Sequence, residues 1–267
     1  GLEGWATKNN VLSTLQRGFR SHRGCEDCIL ALLSILRSHG SVGPSTSALS
    51  TTHLCFVDFA GAYDSVDHGR LLLKLERIGV RGQMLSIIAE MMQGRTTVGR
   101  TADGDTTEVE VRRGLPQGHV LSPMLFSLFV NDLLLRLQKL NEGRRGGSSL
   151  AKTPALAYAD DIVLIDQSLP GLQRKLDVVR QWSEDWGMKV NLGKGKTEHM
   201  VFGGQRNIRS FLHFGADRVN NTSTYKYLGV VLDSQDTQLN MLAQRQKTLR
   251  SAFGAHNAVK QLQVASP

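Results

Sequence analysis

Cysteine is scarce in this chain, and long hydrophobic runs are missing. The 267 residues include three cysteines, Cys25, Cys28 and Cys55. An odd and low count gives no disulfide framework and indicates a reducing compartment. No stretch reaches the run of about 18 apolar residues that a membrane-spanning helix needs, and the chain opens without a charged and then apolar leader. We therefore expect an intracellular protein without a membrane partner. Because residue 1 is Gly rather than Met, we also expect a piece of a longer product.

One cysteine pair has the spacing of metal ligands. Cys25 and Cys28 are separated by two residues, and His22 and His39 lie nearby in the sequence. No second pair with this spacing follows, and a zinc site usually needs one. We favour the interpretation that the two cysteines are small residues near the start of an apolar helix.

The charge balance is basic. Lys and Arg total 32 against 24 Asp and Glu, so the formal charge is +8 and the isoelectric point is about 9.6. Hydrophobic residues make up 40% of the chain, which is enough to bury a core at this length. A basic balance suits a polyanionic partner such as nucleic acid, and it suits a solvated basic surface equally well.

Helical and strand patterns alternate along the chain without regular spacing. Apolar periodicity and end signals predict helices over 28–37, 71–78, 83–92 and 122–140, and over 172–186 with Gly187 as the terminator. They predict a strand over 53–59, hairpins over 96–111 and 155–165, and short strands within 190–202 and 225–232. The tail from Gln238 is predicted to be helical. This mixture is typical of the α+β class.

Two apolar strands carry acids that a core strand would not ordinarily contain. Asp58 follows Leu54-Cys55-Phe56-Val57, and Asp160-Asp161 interrupt the apolar stretch over 155–165. Neighbouring carboxylates raise each other's pKa, and a divalent cation removes this cost. Oxygen ligands suit Mg²⁺, and two such ions can assist transfer of a phosphoryl group. Because Asp is also common in turns, a plain turn at Asp160-Asp161 remains open at this point.

Six segments in a fixed order carry a recognisable pattern. They are Gln16-Arg17-Gly18-Phe19-Arg20, residues 56–68, residues 113–118 with 121–126 and Asn131-Asp132, Ala157-Tyr158-Ala159-Asp160-Asp161, Asn191 with Lys196-Thr197-Glu198, and Tyr225-Lys226-Tyr227-Leu228-Gly229. Their content and order resemble the early fingers motif, motifs A to D and the primer grip of the reverse transcriptase domain of non-LTR, LINE-like retrotransposons. The resemblance covers nearly the whole chain.

The resemblance implies a fold and a reaction. It implies a right-hand polymerase fold with fingers, palm and a truncated thumb. The fingers would comprise about 1–52 and 79–113, the palm about 53–78 and 114–205, and the primer grip with the start of the thumb about 206–267. The implied activity is an RNA-directed DNA polymerase with an RNA template, a DNA primer, dNTPs and two Mg²⁺ ions, for which Mn²⁺ could substitute. A nuclear or cytoplasmic ribonucleoprotein location follows from the same resemblance.

The resemblance also implies roles for individual residues. Asp58, Asp160 and Asp161, with the main-chain carbonyl of Phe59, would hold the metal ions, and Lys196 would lie near the pyrophosphate leaving group. Tyr63 would exclude a 2′-hydroxyl from the nucleotide site. The remaining nucleotide-binding candidates are Pro116, Gln117, Gly118, Arg95 and Arg113. Tyr227, Leu228 and Gly229 would help to hold the primer end.

Three positions, in two places, depart from the family pattern. Ala60-Gly61 stand where motif A often has Ser-Lys, and His119 stands where motif B usually has Ser after Gln-Gly. Neither departure removes a candidate metal ligand. Three functions remain open: an active retrotransposon polymerase, a catalytically silent remnant that binds nucleic acid, and a different polymerase, either maturase-like or RNA-producing. An aromatic residue at Tyr63 argues against an RNA product.

Overall fold

The structure is a computed structural model that describes residues 1–20, 24–41, 50–93, 96–100, 104, 106–116, 118–141, 152–204 and 211–235. Its helices are α1 Leu2–Lys8, α2 Cys25–Ser38, α3 His68–Arg77, α4 Gln83–Met92, α5 Ser122–Asn141 and α6 Leu169–Trp186. Its strands are β1 Thr52–Val57, β2 Thr96–Arg100, β3 Thr106–Glu110, β4 Ala155–Tyr158, β5 Asp161–Asp166, β6 Glu198–Phe202, β7 His213–Phe214, β8 Asp217–Arg218, β9 Asn220–Asn221, β10 Thr224–Tyr227 and β11 Val230–Asp233. None of the helices in these ranges has the length and apolarity required to cross a bilayer.

A five-stranded sheet organises the molecule. Its strand order is β4-β5-β1-β6-β9, and every pair is antiparallel except β6 with β9. Strand β1 is buried along its whole length because both faces of the sheet are covered. Cys55 and Val57 pack into a core formed with α3, α5 and α6, whereas Leu54 and Phe56 pack into a second core with α2 and the β10–β11 hairpin. This two-sided burial explains why β1 reads as a continuous apolar run.

Helix α6 begins and ends where its local signals predict. The Ser168 hydroxyl accepts a hydrogen bond from the Gly171 N–H at 3.2 Å, which satisfies a free donor of the first turn. Gly187 follows the helix with a φ of 69°, a left-handed conformation that favours glycine. The apolar residues of α6, including Trp182, face the core.

A buried lysine joins three helices beneath the sheet. The Lys74 ammonium of α3 donates to the Phe129 carbonyl and to an Asp132 carboxylate oxygen of α5, both at 2.6 Å. It also lies 4.7 Å from the ring centre of Trp182 and 3.8 Å from that of Trp186, both in α6. These charge and cation–π contacts compensate for burying the ammonium.

Within the described residues, the predicted helices and hairpins are confirmed, with small differences at their ends. Helix α1 and the short strands β7, β8 and β9 were not predicted. The hairpin around Asp103-Gly104 is confirmed as the β2–β3 pair. The predicted helix from Gln238 lies outside the described residues.

Candidate active site

Three carboxylates meet at one end of the central sheet. Asp58 directly follows β1, Asp160 lies in the turn between β4 and β5, and Asp161 begins β5. Val57 of β1 pairs with Ile162 of β5 in the antiparallel ladder, so Asp58 and Asp161 lie one residue beyond the same register position. The sheet therefore brings together acids that are about a hundred residues apart in the sequence.

The carboxylates influence one another electrostatically. Burial, followed by the charges of Asp160 and Asp58, raises the pKa of Asp161 to about 6. Burial, with a smaller contribution from Asp58, also raises the pKa of Asp160, while its own backbone N–H acts in the opposite direction. Perturbed acids that share one region are typical of functional sites. Here the repulsion indicates a site that a cation would stabilise.

The donor set at this site suits a hard divalent cation. Asp58, Asp160 and Asp161 offer carboxylate oxygens, which Mg²⁺ prefers. Within the described ranges, no three His, Cys, Asp or Glu side chains already converge as a finished metal cluster. The fit therefore rests on the chemistry of the acids and on their mutual repulsion.

The backbone of Asp58 is held by the segment that precedes β6. The Asp58 N–H donates to the Thr197 hydroxyl at 3.1 Å, and its carbonyl accepts from the Asn191 N–H at 2.8 Å. The Lys196 ammonium lies 3.6 Å from the Asp58 carboxylate, and both side chains are partly exposed. Lys196 is thus a neighbour of the acids. The adjacent candidate, Phe59, forms an isolated bridge with Val190.

Tyr225 supports the same segment and was not predicted as part of the site. Its hydroxyl donates to the Lys196 carbonyl at 2.9 Å. Its ring stacks on Phe56 with centres 3.9 Å apart and planes 7° apart. Burial, then the negative charges of Asp58 and Asp161, raises the pKa of the Tyr225 hydroxyl. The primer-grip hairpin is thereby joined to the acid site.

Tyr63 lies in the loop between β1 and α3, near enough to Asp160 to feel its charge. Burial and the charge of Asp160 raise the pKa of its hydroxyl to about 12. The ring stacks on Phe126 of α5 with centres 4.8 Å apart. The Tyr63 carbonyl accepts from the Leu115 N–H at 2.9 Å, which ties motif A to motif B. Gly114 has a φ of 97° beside this contact, where a side chain would be strained.

The motif B segment runs from Leu115, which contacts Tyr63, to the start of α5. The Pro116 carbonyl accepts from the Ser122 hydroxyl at 2.6 Å, and Gly118 has a φ of 80°. The Arg113 guanidinium lies 3.8 Å from the Asp67 carboxylate. Pro116 and Gly118 lie on the segment adjoining Tyr63. The Arg113 side chain instead lies beside Asp67, the N-cap residue of α3.

Two predicted nucleotide-binding residues, Arg95 and Gln117, lie outside the described residues.

The structure describes both places where the chain departs from the family pattern. His119 is exposed, and its ring Nδ1 accepts from the Leu121 N–H at 3.3 Å. Gly61 has a φ of 55°, so glycine at this position permits a turn that a lysine would adopt with strain.

The primer-grip candidates form the turn of the β10–β11 hairpin. Tyr227 pairs with Val230, and the two-residue loop Leu228-Gly229 has φ values of 48° and 80°. The Tyr227 side chain is buried, with its hydroxyl 3.2 Å from the Cys28 sulfur. Any contact of Tyr227 with a primer would therefore involve its backbone.

A second cysteine–tyrosine contact lies on the same helix. The interaction with the Cys25 thiol is the main cause that raises the pKa of Tyr158, the last residue of β4, to about 12. Cys25 and Cys28 are both free thiols. The cysteine pair that has metal-ligand spacing thus lies beside the end of β4 and the β10–β11 hairpin.

Comparison with known proteins identifies close relatives of the sequence. The profile of the family described as reverse transcriptase (RNA-dependent DNA polymerase) matches residues 4–232. The RNA-directed DNA polymerase from mobile element jockey of Drosophila funebris is 29% identical over 76% of this chain and 22% of its own length. A putative 115 kDa protein in the type-1 element R1DM of Drosophila melanogaster is 29% identical over 90% of this chain and 22% of its own length. The chain thus spans about a fifth of the length of these curated relatives.

Solved structures of telomerase share the fold. Apo telomerase from Candida tropicalis, truncated from its C-terminal domain, matches with a TM-score of 0.55 at 12% identity, over 87% of this chain and 42% of that one. The C. tropicalis telomerase in complex with a fragment of telomeric RNA matches with a TM-score of 0.57 at 12% identity, over 89% of this chain and 36% of that one. These neighbours confirm the α+β, right-hand polymerase fold. The family profile and the sequence relatives show that the chain belongs to the reverse transcriptase family, in the branch of the non-LTR, LINE-like retrotransposons.

Proposed function

We propose that this chain is the catalytic core of an RNA-directed DNA polymerase. It would transfer a nucleotide from a dNTP to the 3′-hydroxyl of a DNA primer that is paired with an RNA template. The observation that carries the proposal is the placement of Asp58, Asp160 and Asp161 at neighbouring positions on one end of the sheet, in a chain of the reverse transcriptase family. The net charge of +8 suits a nucleic-acid partner.

Reverse transcriptases are generally dependent on divalent metal ions. We propose that Asp58 and Asp160, with Asp161 and the Phe59 carbonyl, would hold two Mg²⁺ ions, and that Mn²⁺ would be accepted as well. When bound, such a pair of ions supplies activation of the attacking hydroxyl and charge neutralisation at the phosphate. The protein contributes placement of the acids, which the β1–β5 ladder and the Thr197 and Asn191 contacts fix.

The remaining residues would bind and orient the substrates. Tyr63, stacked on Phe126, would present its ring edge to the sugar and exclude a 2′-hydroxyl. Pro116 and Gly118 would border the base, and Arg113 would assist at the triphosphate. Lys196, beside Asp58, would donate a proton to the leaving pyrophosphate.

The Leu228-Gly229 turn and the backbone of Tyr227 would hold the primer end. We also propose that 53–78 and 114–205 act as the palm, since all three acids lie in those ranges.

A primer-extension assay tests the proposal. The chain is incubated with a primed RNA template, dNTPs and Mg²⁺, beside Asp160→Ala and a matched control, Asp217→Ala, which alters an exposed acid on β8. We expect extension by the native chain and the control and none by Asp160→Ala. The same assay is repeated with a longer form that carries more C-terminal sequence. If both forms bind the template but extend no primer, the chain is a nucleic-acid-binding remnant.

A further inference from the structure

The early segment of the chain reaches the catalytic turn through a single buried side chain. Gln16 is 1% exposed. Its carboxamide oxygen accepts from the Ala159 N–H at 3.1 Å and from the Gly18 N–H at 3.0 Å, and its amide nitrogen makes a longer contact of 3.5 Å with the Ala159 carbonyl. Both polar groups of the Ala159 backbone therefore face Gln16.

The backbone around Gln16 extends the sheet beside the turn. The Ala157 N–H donates to the Leu15 carbonyl at 3.0 Å, and the Arg17 N–H donates to the Ala157 carbonyl at 2.8 Å. These bonds form a parallel bridge between Gln16 and Ala157 on the free edge of β4. Gln16 is thus fixed at both its backbone and its side chain.

The turn needs such support. Ala159 has a φ of 56°, in the left-handed region that is unfavourable for a residue with a Cβ atom. Ala159 directly precedes Asp160, so its conformation sets the direction of the following carboxylate. Gly18 fits closely against the same turn, since a Cβ atom on it would lie 2.6 Å from the Ala159 nitrogen.

We propose that Gln16 is a positioning residue that holds Ala159 in the left-handed conformation and thereby aims Asp160 at the metal ions. The effect on kcat that this role predicts rests on the proposed function. The role also predicts a change in cation affinity, which can be measured without catalysis. Removing a buried hydrogen-bond partner at such a site should lower cation affinity and kcat by about tenfold to a hundredfold.

The test compares Gln16→Leu, Gln16→Glu, Gln16→Asn and the control Gln138→Leu. Gln138 contacts the hydroxyls of Ser13 and Thr14, so the control alters the same segment away from the turn. Mn²⁺ binding to the protein is followed by electron paramagnetic resonance, and primer extension gives kcat, KM for dNTP and the Mg²⁺ concentration for half-maximal rate. Circular dichroism reports the fold of each variant.

We expect Gln16→Leu to weaken Mn²⁺ binding and lower kcat by about tenfold or more, with KM for dNTP changed less than kcat. Gln16→Glu keeps an acceptor for both N–H groups, so it should retain more of both properties. Mn²⁺ affinity and kcat equal to the native values in Gln16→Leu would overturn the role.

If Gln16→Leu does not fold, Gln16→Asn decides, because its carboxamide is one methylene shorter and does not reach Ala159 as Gln16 does. Unchanged Mn²⁺ affinity and kcat in Gln16→Asn overturn the role, and a loss in both supports it. If the native chain extends no primer, the function proposal fails while the Mn²⁺ comparison still decides the role of Gln16.

Discussion

Replacing Asp161 by Asn should stabilise the metal-free protein at neutral pH, although it removes a candidate catalytic carboxylate. Burial and the charges of Asp160 and Asp58 raise the pKa of Asp161 from 3.8 to about 6. A carboxyl group with a raised pKa favours the folded state below its unfolded pKa, and this contribution is lost as the pH rises through the folded value. At pH 7 the ionised carboxylate therefore opposes folding, and an amide would not.

The size of the effect follows from the pKa and the exposure of the side chain. The difference between 3.8 and about 6 corresponds to about 3 kcal/mol at about 1.4 kcal/mol for each tenfold change. The Asp161 side chain is only partly removed from water and keeps a solvent-accessible face, so screening reduces this to about 1 kcal/mol. For a chain of this length, the melting temperature should rise by about 2 to 4 °C.

Urea unfolding in the presence of a chelator measures the difference. The native chain and Asp161→Asn are compared at pH 7 and at about pH 4, beside Asp217→Asn as an exposed control on β8. The stabilisation should shrink at the lower pH, where the native carboxyl group is protonated. It should also shrink with Mg²⁺, which binds the native acids better. An unfolding free energy for Asp161→Asn that is equal to or below the native value at pH 7 would refute the reasoning.

Three further outcomes are expected. Tyr63→Ala should raise rNTP incorporation relative to dNTP by roughly tenfold or more in single-nucleotide assays, and unchanged discrimination would reject the gate. Burial and then His199 lower the pKa of His53 to about 4, so the native chain should lose up to about 3 kcal/mol of stability between pH 6.5 and 4. In urea unfolding, the free energy of unfolding of His53→Gln should change less over this pH range than that of the native chain. An equal change in the two proteins would contradict the role of His53. Lys74→Ala leaves Asp132 without its cation and should lower the unfolding free energy by about 3 kcal/mol, whereas a loss under about 0.5 kcal/mol would indicate a surface-like site.

Local signals account for the elements that were predicted well. Helix α6 has Ser168 at its start, Gly187 at its end and a helical apolar spacing between them. The β4–β5 hairpin has apolar residues on both sides of a tight turn. Helix α1, with seven residues, is too short to show a full amphipathic period, which explains why it was missed.

The contacts that complete the site had no local signal. Gln16 and Ala159 are 143 residues apart, and their hydrogen bonds depend on the edge of β4 being free to accept another segment. Tyr225 and Tyr227 belong to the segment that resembles the primer grip, but such a resemblance does not predict the direction of a side chain. Their alternation on β10 places both rings against Phe56. A period-two argument could therefore have assigned both tyrosines to the buried face.

The contrast between the three cysteines makes the chain suitable for site-specific labelling without mutagenesis. Cys28 and Cys55 are buried, and burial raises their pKa values to about 11 and about 12, so few thiolates form at neutral pH. Cys25 is partly exposed and contacts the Tyr158 hydroxyl. A maleimide fluorophore should therefore attach at Cys25 and report, from beside the catalytic turn, on the arrival of a template–primer duplex.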